Sequence, residues 1–250
     1  MFVHFLLSAM LLTGCDNFDA VQQEDSIAGY EAYLAENPDG RFSMQARNRL
    51  EELVLEQAKA SGTTEAFDAY LEKFPSGVHR EAAIAERETS MFNDALTKGT
   101  PAGWQAFLDA YPKKASKGRI TMAKKALVAS QLMENMTVSE VKIADINLAE
   151  DPTGPLNGKG FTADVTNNTE QTITSLWFRI DYLNAEGKSV GNERWPVVAP
   201  SFPVPIEEEY LEPMEPGDTR TWEWTTGDLP KTWAGEVRLI ATKSSVAKQD

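Results

Sequence analysis

The first half of the chain repeats a set of residue types every 37 residues. The recurring positions are the prolines Pro38, Pro75 and Pro112, the aromatic residues Tyr33, Tyr70 and Phe107, and the hydroxyl residues Ser26, Thr63 and Thr100. A fixed period of this length is typical of stacked supersecondary units. A hydroxyl side chain accepts the free amide hydrogens at a helix start, and proline ends a helix. The period therefore predicts a capped short helix at the start of each unit.

A longer helix is predicted after each short one. Apolar residues in the short helices recur at i, i+3, i+4 and i+7, which places them on one helix face. The longer periodic segments run over roughly 41–59, 77–97 and 118–133. Gly62 and Gly99 lie where a left-handed residue would close the preceding long helix, and Pro101 occupies a first-turn position that proline tolerates. We expect the aromatic stripes to form the core between helices, the alternative being a binding surface.

Two segments carry a family resemblance. Residues 66–77 read AFDAYLEKFPSG, and residues 103–112 read GWQAFLDAYP. Their interval from the first aromatic residue to the proline resembles that of tetratricopeptide-like repeats of bacterial envelope proteins, although the period is longer than the usual ~34 residues. The resemblance implies an array of three helical hairpins over residues 25–133, whose concave side binds peptides or protein segments.

The third unit is basic, in contrast to the rest of the chain. Between Thr100 and Met133 only Asp109 is acidic, and the local net charge is +5. The six basic residues are Lys113, Lys114, Lys117, Arg119, Lys124 and Lys125. They are candidates for binding an acidic partner or anionic lipid headgroups. The alternatives are a solvated helix face and docking on the acidic second half of the chain itself.

The amino terminus has the profile of a signal peptide. Residues 1–14 contain no Asp, Glu, Lys or Arg and are mostly apolar. This run is too short for a bilayer crossing, which needs roughly 20 residues. We expect cleavage, with a buried apolar segment as the alternative.

The residues around the expected cleavage point resemble a bacterial lipobox, namely Leu12, Thr13, Gly14 and Cys15. The resemblance implies that residues 1–14 are removed, that Cys15 becomes acylated, and that residues 15–24 are a linker from the membrane. Asp16 resembles the residue that retains enterobacterial lipoproteins in the inner membrane, which implies the periplasmic face of that membrane. A plain cleaved signal peptide is the alternative.

The pattern changes from helix to strand after a short polar linker at residues 134–139. Beta-branched and aromatic runs alternate with turns over residues 140–250, which predicts an antiparallel β-sandwich of the immunoglobulin type. The candidate strands are 140–148, 159–166, 171–183, 188–198, 204–211, 219–225 and 235–243. The fold class is therefore multidomain, with helices first and strands second.

Three segments of this region carry a second resemblance. They are the turn Val165–Asn168, the strand end Ile180–Asn184 and the loop Leu211–Asp218. Together they are similar to the FxLYD-type immunoglobulin-like domains of secreted bacterial proteins. The resemblance implies an adhesive or scaffolding role outside the cytoplasm and supplies no catalytic residue.

A loop rich in aromatic residues and proline is a candidate binding site in the strand region. Trp195 and Phe202 precede the acidic run Glu207, Glu208 and Glu209. Exposed aromatic rings beside carboxylates are suited to a protein partner or a sugar face. The alternative is a covering loop, because prolines protect sheet edges from pairing.

Composition limits the function classes. The 250 residues carry 38 acids against 24 bases, a net charge of −14 that disfavours nucleic acid as a partner. The only cysteine is Cys15 and the only histidines are His4 and His79, and the sequence lacks nucleophile-elbow, phosphate-loop and dinucleotide motifs. We predict no enzyme, no cofactor and no metal site. The leading hypothesis is a lipid-anchored interaction scaffold. The alternatives are an envelope module that binds glycan or peptidoglycan and, least favoured, a hydrolase with an unrecognised carboxylate pair.

Overall fold

The computed structural model describes residues 17–112, 117–148, 156–201 and 206–247. The lipobox residues Leu12, Thr13, Gly14 and Cys15, the sorting residue Asp16, and the candidates Lys113, Lys114 and Phe202 lie outside these ranges. Helices occupy the first part of the described chain and antiparallel strands follow, as the sequence predicts.

The helices of the first part come before the linker. They are α1 (Phe18–Glu24), α2 (Ile27–Glu36), α3 (Ser43–Ser61), α4 (Thr64–Lys73), α5 (Arg80–Lys98), α6 (Pro101–Ala110) and α7 (Lys117–Met133). The elements after them are β1 (Met136–Val138), β2 (Lys142–Ile146), β3 (Gly158–Asn167), β4 (Ile173–Leu183), β5 (Ser189–Val198), α8 (Glu208–Leu211), β6 (Thr219–Thr226) and β7 (Glu236–Val246).

The predicted helix starts and stops are confirmed. The side chains of Ser26, Thr63 and Thr100 accept hydrogen bonds from amides three residues later, at 2.9, 3.2 and 3.3 Å. Each therefore satisfies one of the free donors of its helix. Gly62 and Gly99 follow the long helices α3 and α5 with φ of 66° and 61°, a left-handed conformation that closes a helix.

The aromatic stripes are core residues, as predicted. Tyr33, Tyr70 and Phe107, which share one position of the repeat, are all buried. Phe107 packs edge-to-face on Phe92 with 5.3 Å between ring centroids. These rings are therefore occupied by helix packing and do not form a binding surface.

The described residues divide into two compact units, one ending at Ser90 and the other beginning at Met91. Helix α5 passes from one unit to the next. The second unit contains α6 and α7 together with all the strands. The third pair of repeat helices is thus part of the same compact unit as the sheets.

Three segments differ from the sequence interpretation. Part of the expected linker 15–24 is the helix α1, because Phe18 and Val21 are buried and Phe18 stacks on Phe42 at 4.8 Å. Part of the expected linker 134–139 is the strand β1, which pairs with β3. A strand predicted over 204–211 is wrong, since residues 208–211 form the helical turn α8. There Ile206 and Tyr210, four residues apart, both pack on the core.

The strands form two antiparallel sheets that share one core. In the first sheet β3 pairs with β1 and β2 on one side and with β6 on the other; in the second, β4 lies between β5 and β7. Trp222 of the first sheet packs against Phe178 of the second, with ring centroids 5.2 Å apart. Its indole N–H donates to the carbonyl of Pro196 at 2.8 Å, so the buried polar group is satisfied.

Helix α7 lies against the second sheet. Ala129 is buried within the core that the two sheets share, and Leu132 and Met133 pack against that core. The end of α5 also approaches β7 closely, because a Cβ on Gly99 would lie 2.8 Å from Cγ2 of Ile240. The first half of α7 lies beside the outer face of the second sheet, which is the face that points away from the first sheet.

Candidate functional site

A cavity of about 650 Å³ lies between α7 and the second sheet. We call it the basic groove and define it by the side chains that line it. On the helix these include Lys117, Thr121 and Lys125, and on the strands Trp177, Arg194 and Lys243. All of them belong to the second compact unit.

The side chains that form one wall of the basic groove share a face of α7. Residues four apart share a helix face, so Lys117, Thr121 and Lys125 form a single row along α7. Met122 adds an apolar contact beside this row. The two lysines are exposed, and their ammonium groups reach the groove at the ends of flexible stems.

The other wall of the basic groove is formed by strand residues whose side chains point away from the core. Trp177 on β4 points to the opposite face from the buried Phe178, and its partner across the β4–β7 ladder is Lys243. The Lys243 Nζ lies 5.7 Å from the centroid of the Trp177 ring, within cation–π distance. Arg194 comes from β5 on the other side of β4, next to Arg179 in the ladder.

The basic groove has a one-sided charge. Four cationic side chains line it and no carboxylate does. Within the described ranges, Lys117, Lys125, Arg194 and Lys243 make no ion pair with an acid of the chain. The chain as a whole carries −14, so this positive region is a local reversal. Such an arrangement raises the local concentration of anionic groups and can hold them by charge-assisted hydrogen bonds.

The four described residues of the basic set named from the sequence divide into three groups. Lys117 and Lys125 line the basic groove, whereas Lys124 is exposed and lies outside its lining. Arg119 is half-buried, with its guanidinium 5.5 Å from the centroid of the Phe92 ring. The strand residues that line the groove with Lys117 and Lys125 include no acid, so in the described ranges these two lysines do not dock on acids of the second half.

Sequence reasoning missed Trp177, Arg194 and Lys243 as members of a site. Each lies on a different strand, 50 or more positions from Lys125 along the chain. The period-2 alternation indicates that Trp177 and Phe178 lie on opposite faces of β4. It gives no indication that α7 covers that face.

The second sequence-based candidate forms a smaller site. Trp195, Glu207 and Tyr210 line a pocket of about 240 Å³, together with Glu223 and Trp224. Trp195 is half-buried: it packs against the core and also lines this pocket. Glu208 and Glu209 begin the helical turn α8 and lie outside the pocket lining.

Hydrogen bonds fix Tyr210 in this pocket. Its hydroxyl accepts from the amide of Glu223 at 2.8 Å and donates to the carbonyl of Thr221 at 3.3 Å. Burial raises the pKa of Tyr210, which keeps the phenol neutral at physiological pH. The pocket therefore presents three aromatic side chains and two carboxylates.

Two further polar clusters lie on β4. Asp181 is buried and accepts from Arg179 at 2.7 Å and from Arg238 at 3.3 Å. Tyr182 donates to Glu193, and burial raises the pKa of both groups. These contacts join β4 to its neighbours β5 and β7.

In the described ranges, no cluster of three or more His, Cys, Asp or Glu residues is arranged to hold a metal ion. The helices described there include none that is both long and apolar enough to cross a bilayer.

Comparison with known proteins identifies no family. No family model matches the chain, and no curated protein matches it. One similar solved structure is the Pseudomonas fluorescens alkylpurine DNA glycosylase AlkC bound to DNA containing an abasic site analog, with 11% identity, a TM-score of 0.28 and coverage of 92% of this chain and 68% of that one. Another is the structural genomics target SoR45, with 18% identity, a TM-score of 0.23 and coverage of 47% and 89%. At these TM-scores neither neighbour bears on the fold or function of this chain.

Proposed function

We propose that this chain is a non-enzymatic, lipid-anchored protein of the bacterial cell envelope that holds a partner protein through its helical repeats. The observation that carries the proposal is the basic groove, whose helix wall is the last helix of the third repeat. Four cations line this groove and no carboxylate does, which suits it to holding an anionic part of a partner.

We also propose a fold for each part of the chain. The helices α2 to α7 would form three tetratricopeptide-like hairpins, supported by caps that recur every 37 residues. The strands would form an FxLYD-like sandwich of the immunoglobulin type, supported by two antiparallel sheets around one core. The repeats would present the partner site and the strands would brace it.

Anchoring is proposed to occur through an acylated Cys15, with Asp16 retaining the protein on the periplasmic face of the inner membrane. Several acyl chains on one residue hold a protein firmly, at roughly 0.8 kcal/mol per buried methylene. Replacement of Cys15 by alanine should therefore release the protein from membranes washed with salt and carbonate. Retention of the Cys15→Ala chain in the washed membrane fraction would contradict the anchor.

Partner binding is tested by photocrosslinking in cells. A photoreactive residue at Thr121 lies on the row that lines the basic groove, whereas one at Lys124 lies on the same helix outside it. We expect a discrete adduct with a protein from position 121 and none from position 124. Equal adducts from both positions, or none from 121, would refute partner binding at this surface.

A second candidate function is recognition of glycan or peptidoglycan. It is favoured by the pocket in which Trp195 and Tyr210 lie beside Glu207 and Glu223, since rings and carboxylates together suit a sugar. Conversion of Glu207 to glutamine should weaken retention on peptidoglycan. Trp195 is unsuitable for this test because it packs on the core.

A further inference from the structure

We infer that the basic groove binds an extended acidic peptide segment of the partner protein. This inference rests on the proposed scaffold function and adds the chemistry of the partner.

The spacing of the cations fits carboxylates on an extended chain. Lys117 and Lys125 are eight residues apart on α7, which corresponds to about 12 Å along the helix axis. An extended peptide rises about 3.3 Å per residue, so acids about four positions apart would match the two ammonium groups. Arg194 and Lys243 supply cations from the opposite wall.

The floor between the cations is partly apolar. Trp177 is half-buried there and Met122 lies on the helix side. A ring bordered by cations suits a peptide in which an apolar side chain lies between two acids. Because the ring excludes water from one side, carboxylates beside it would be less screened than on an open surface.

A second depression follows the basic groove along the same helix. Its volume is about 670 Å³, and its helix wall continues the row of Thr121 and Lys125 with Val128 and Leu132. Its strand wall continues β7 from Lys243 to Ser244 and Ser245. From residue 117 to 132 the helix measures about 22 Å, the length of roughly seven extended residues. The partner segment is therefore acidic at the end that lies in the basic groove, and its other end contacts Val128, Leu132 and the two serines.

The net charge of the chain distinguishes a short peptide from a larger polyanion. A bilayer or a nucleic acid carries negative charge far beyond the groove and would meet the surface of a chain with net charge −14. A short acidic segment contacts only the positively charged basic groove. A concave site with a half-buried ring also fits a narrow chain better than a flat bilayer.

The test uses the full chain in non-ionic detergent and a fluorescein-labelled eight-residue peptide with glutamates at positions 2 and 6, leucine at 4 and polar residues elsewhere. We expect saturable binding by fluorescence anisotropy that weakens steeply with salt. The matched peptide with glutamines at positions 2 and 6 should bind at least about tenfold more weakly. Equal binding of the two peptides would overturn the inference.

Matched charge reversals locate the binding. Lys125→Glu and Arg194→Glu each place a negative group in the groove and should weaken the peptide at least about tenfold. Lys124→Glu makes the same change of net charge on the same helix, outside the lining, and should leave affinity within about twofold. Equal losses in Lys124→Glu and Lys125→Glu would mean that net charge alone attracts the peptide, and would overturn the site.

Competition separates the other anions. Phosphatidylglycerol in mixed micelles, or inorganic phosphate, should not displace the peptide at equal anion concentration; displacement by either would reassign the groove to a headgroup or a free phosphate. If no acidic peptide binds while Thr121 still crosslinks to a protein in cells, this inference fails and the scaffold proposal stands. If both readouts fail, the scaffold proposal fails with it.

Discussion

Replacement of Gly99 by alanine tests how closely the helices pack on the second sheet. Gly99 has a φ of 61°, and a Cβ there would lie 2.8 Å from Cγ2 of Ile240, a buried residue of β7. The left-handed backbone costs an alanine about 1–2 kcal/mol, and forcing a methyl group into a packed site adds about 1–3 kcal/mol. We therefore expect the free energy of unfolding to fall by about 2–5 kcal/mol.

Gly62 is the matched control for that change. It closes α3 as Gly99 closes α5, with a φ of 66°, but only a backbone oxygen 3.9 Å away lies near its missing Cβ. Gly62→Ala should thus cost about 1–2 kcal/mol from backbone strain alone. The difference between the two variants is the energy of the contact with Ile240.

Urea unfolding measures the two variants separately. All six tryptophans lie between residues 104 and 233, in the second compact unit, so their fluorescence reports the unit that contains Gly99. Far-UV circular dichroism reports α3 and the change at Gly62. If Gly99→Ala is no more destabilising than Gly62→Ala, the close approach of α5 to β7 is not part of the folded chain.

Three further predictions concern caps, buried charge and pH. Thr63→Ala removes the acceptor for the Ala66 amide and should cost about 1 kcal/mol of stability, measured by urea unfolding, while Thr63→Ser should restore most of it. Asp181→Asn leaves two arginines without their buried carboxylate and should lower the free energy of unfolding by about 3–5 kcal/mol; a loss below about 1 kcal/mol would contradict a buried pair. Burial raises the folded-state pKa of Glu193, so its contribution to stability is full below the unfolded pKa and is lost as pH rises through the folded value. Glu193→Gln should therefore gain stability relative to the parent chain as the pH rises above the unfolded pKa of about 4, and a pH-independent difference in melting temperature would refute this.

The helical repeats could be predicted because their signals are local. Thr63 caps α4 through an amide three residues away, and Gly62 closes α3 within its own last turn. Tyr70 belongs to an apolar stripe whose spacing determines its buried face. Because these features depend only on residues close in sequence, they can be predicted without knowledge of the tertiary fold.

The missed elements depend on contacts distant in sequence. Strand β1 exists because it pairs with the far end of β3, about 29 positions away. Phe18 becomes helical in a segment interpreted as linker because Tyr33 and Phe42 cover its ring. The sequence predicts a strand over 204–211, whereas tertiary burial of Tyr210 favours the helical turn α8.

One wall of the basic groove could be predicted from the sequence, and the other could not. The row of Lys117 and Lys125 follows from helical periodicity. The excess of positive charge in the third repeat made these lysines candidates for an anionic partner, with a solvated helix face and docking on the chain's own acids as the alternatives. Docking on the acids of the chain itself would have neutralised that excess. Instead the sheet presents Arg194 and Lys243 to the same space, which increases the repulsion that folding must overcome. The fold brings four cations together around one aromatic ring, although the chain has enough acids to pair with them. Their mutual repulsion is unfavourable, and an acidic ligand would relieve it. For this reason we expect ligand binding at the basic groove to stabilise the second compact unit.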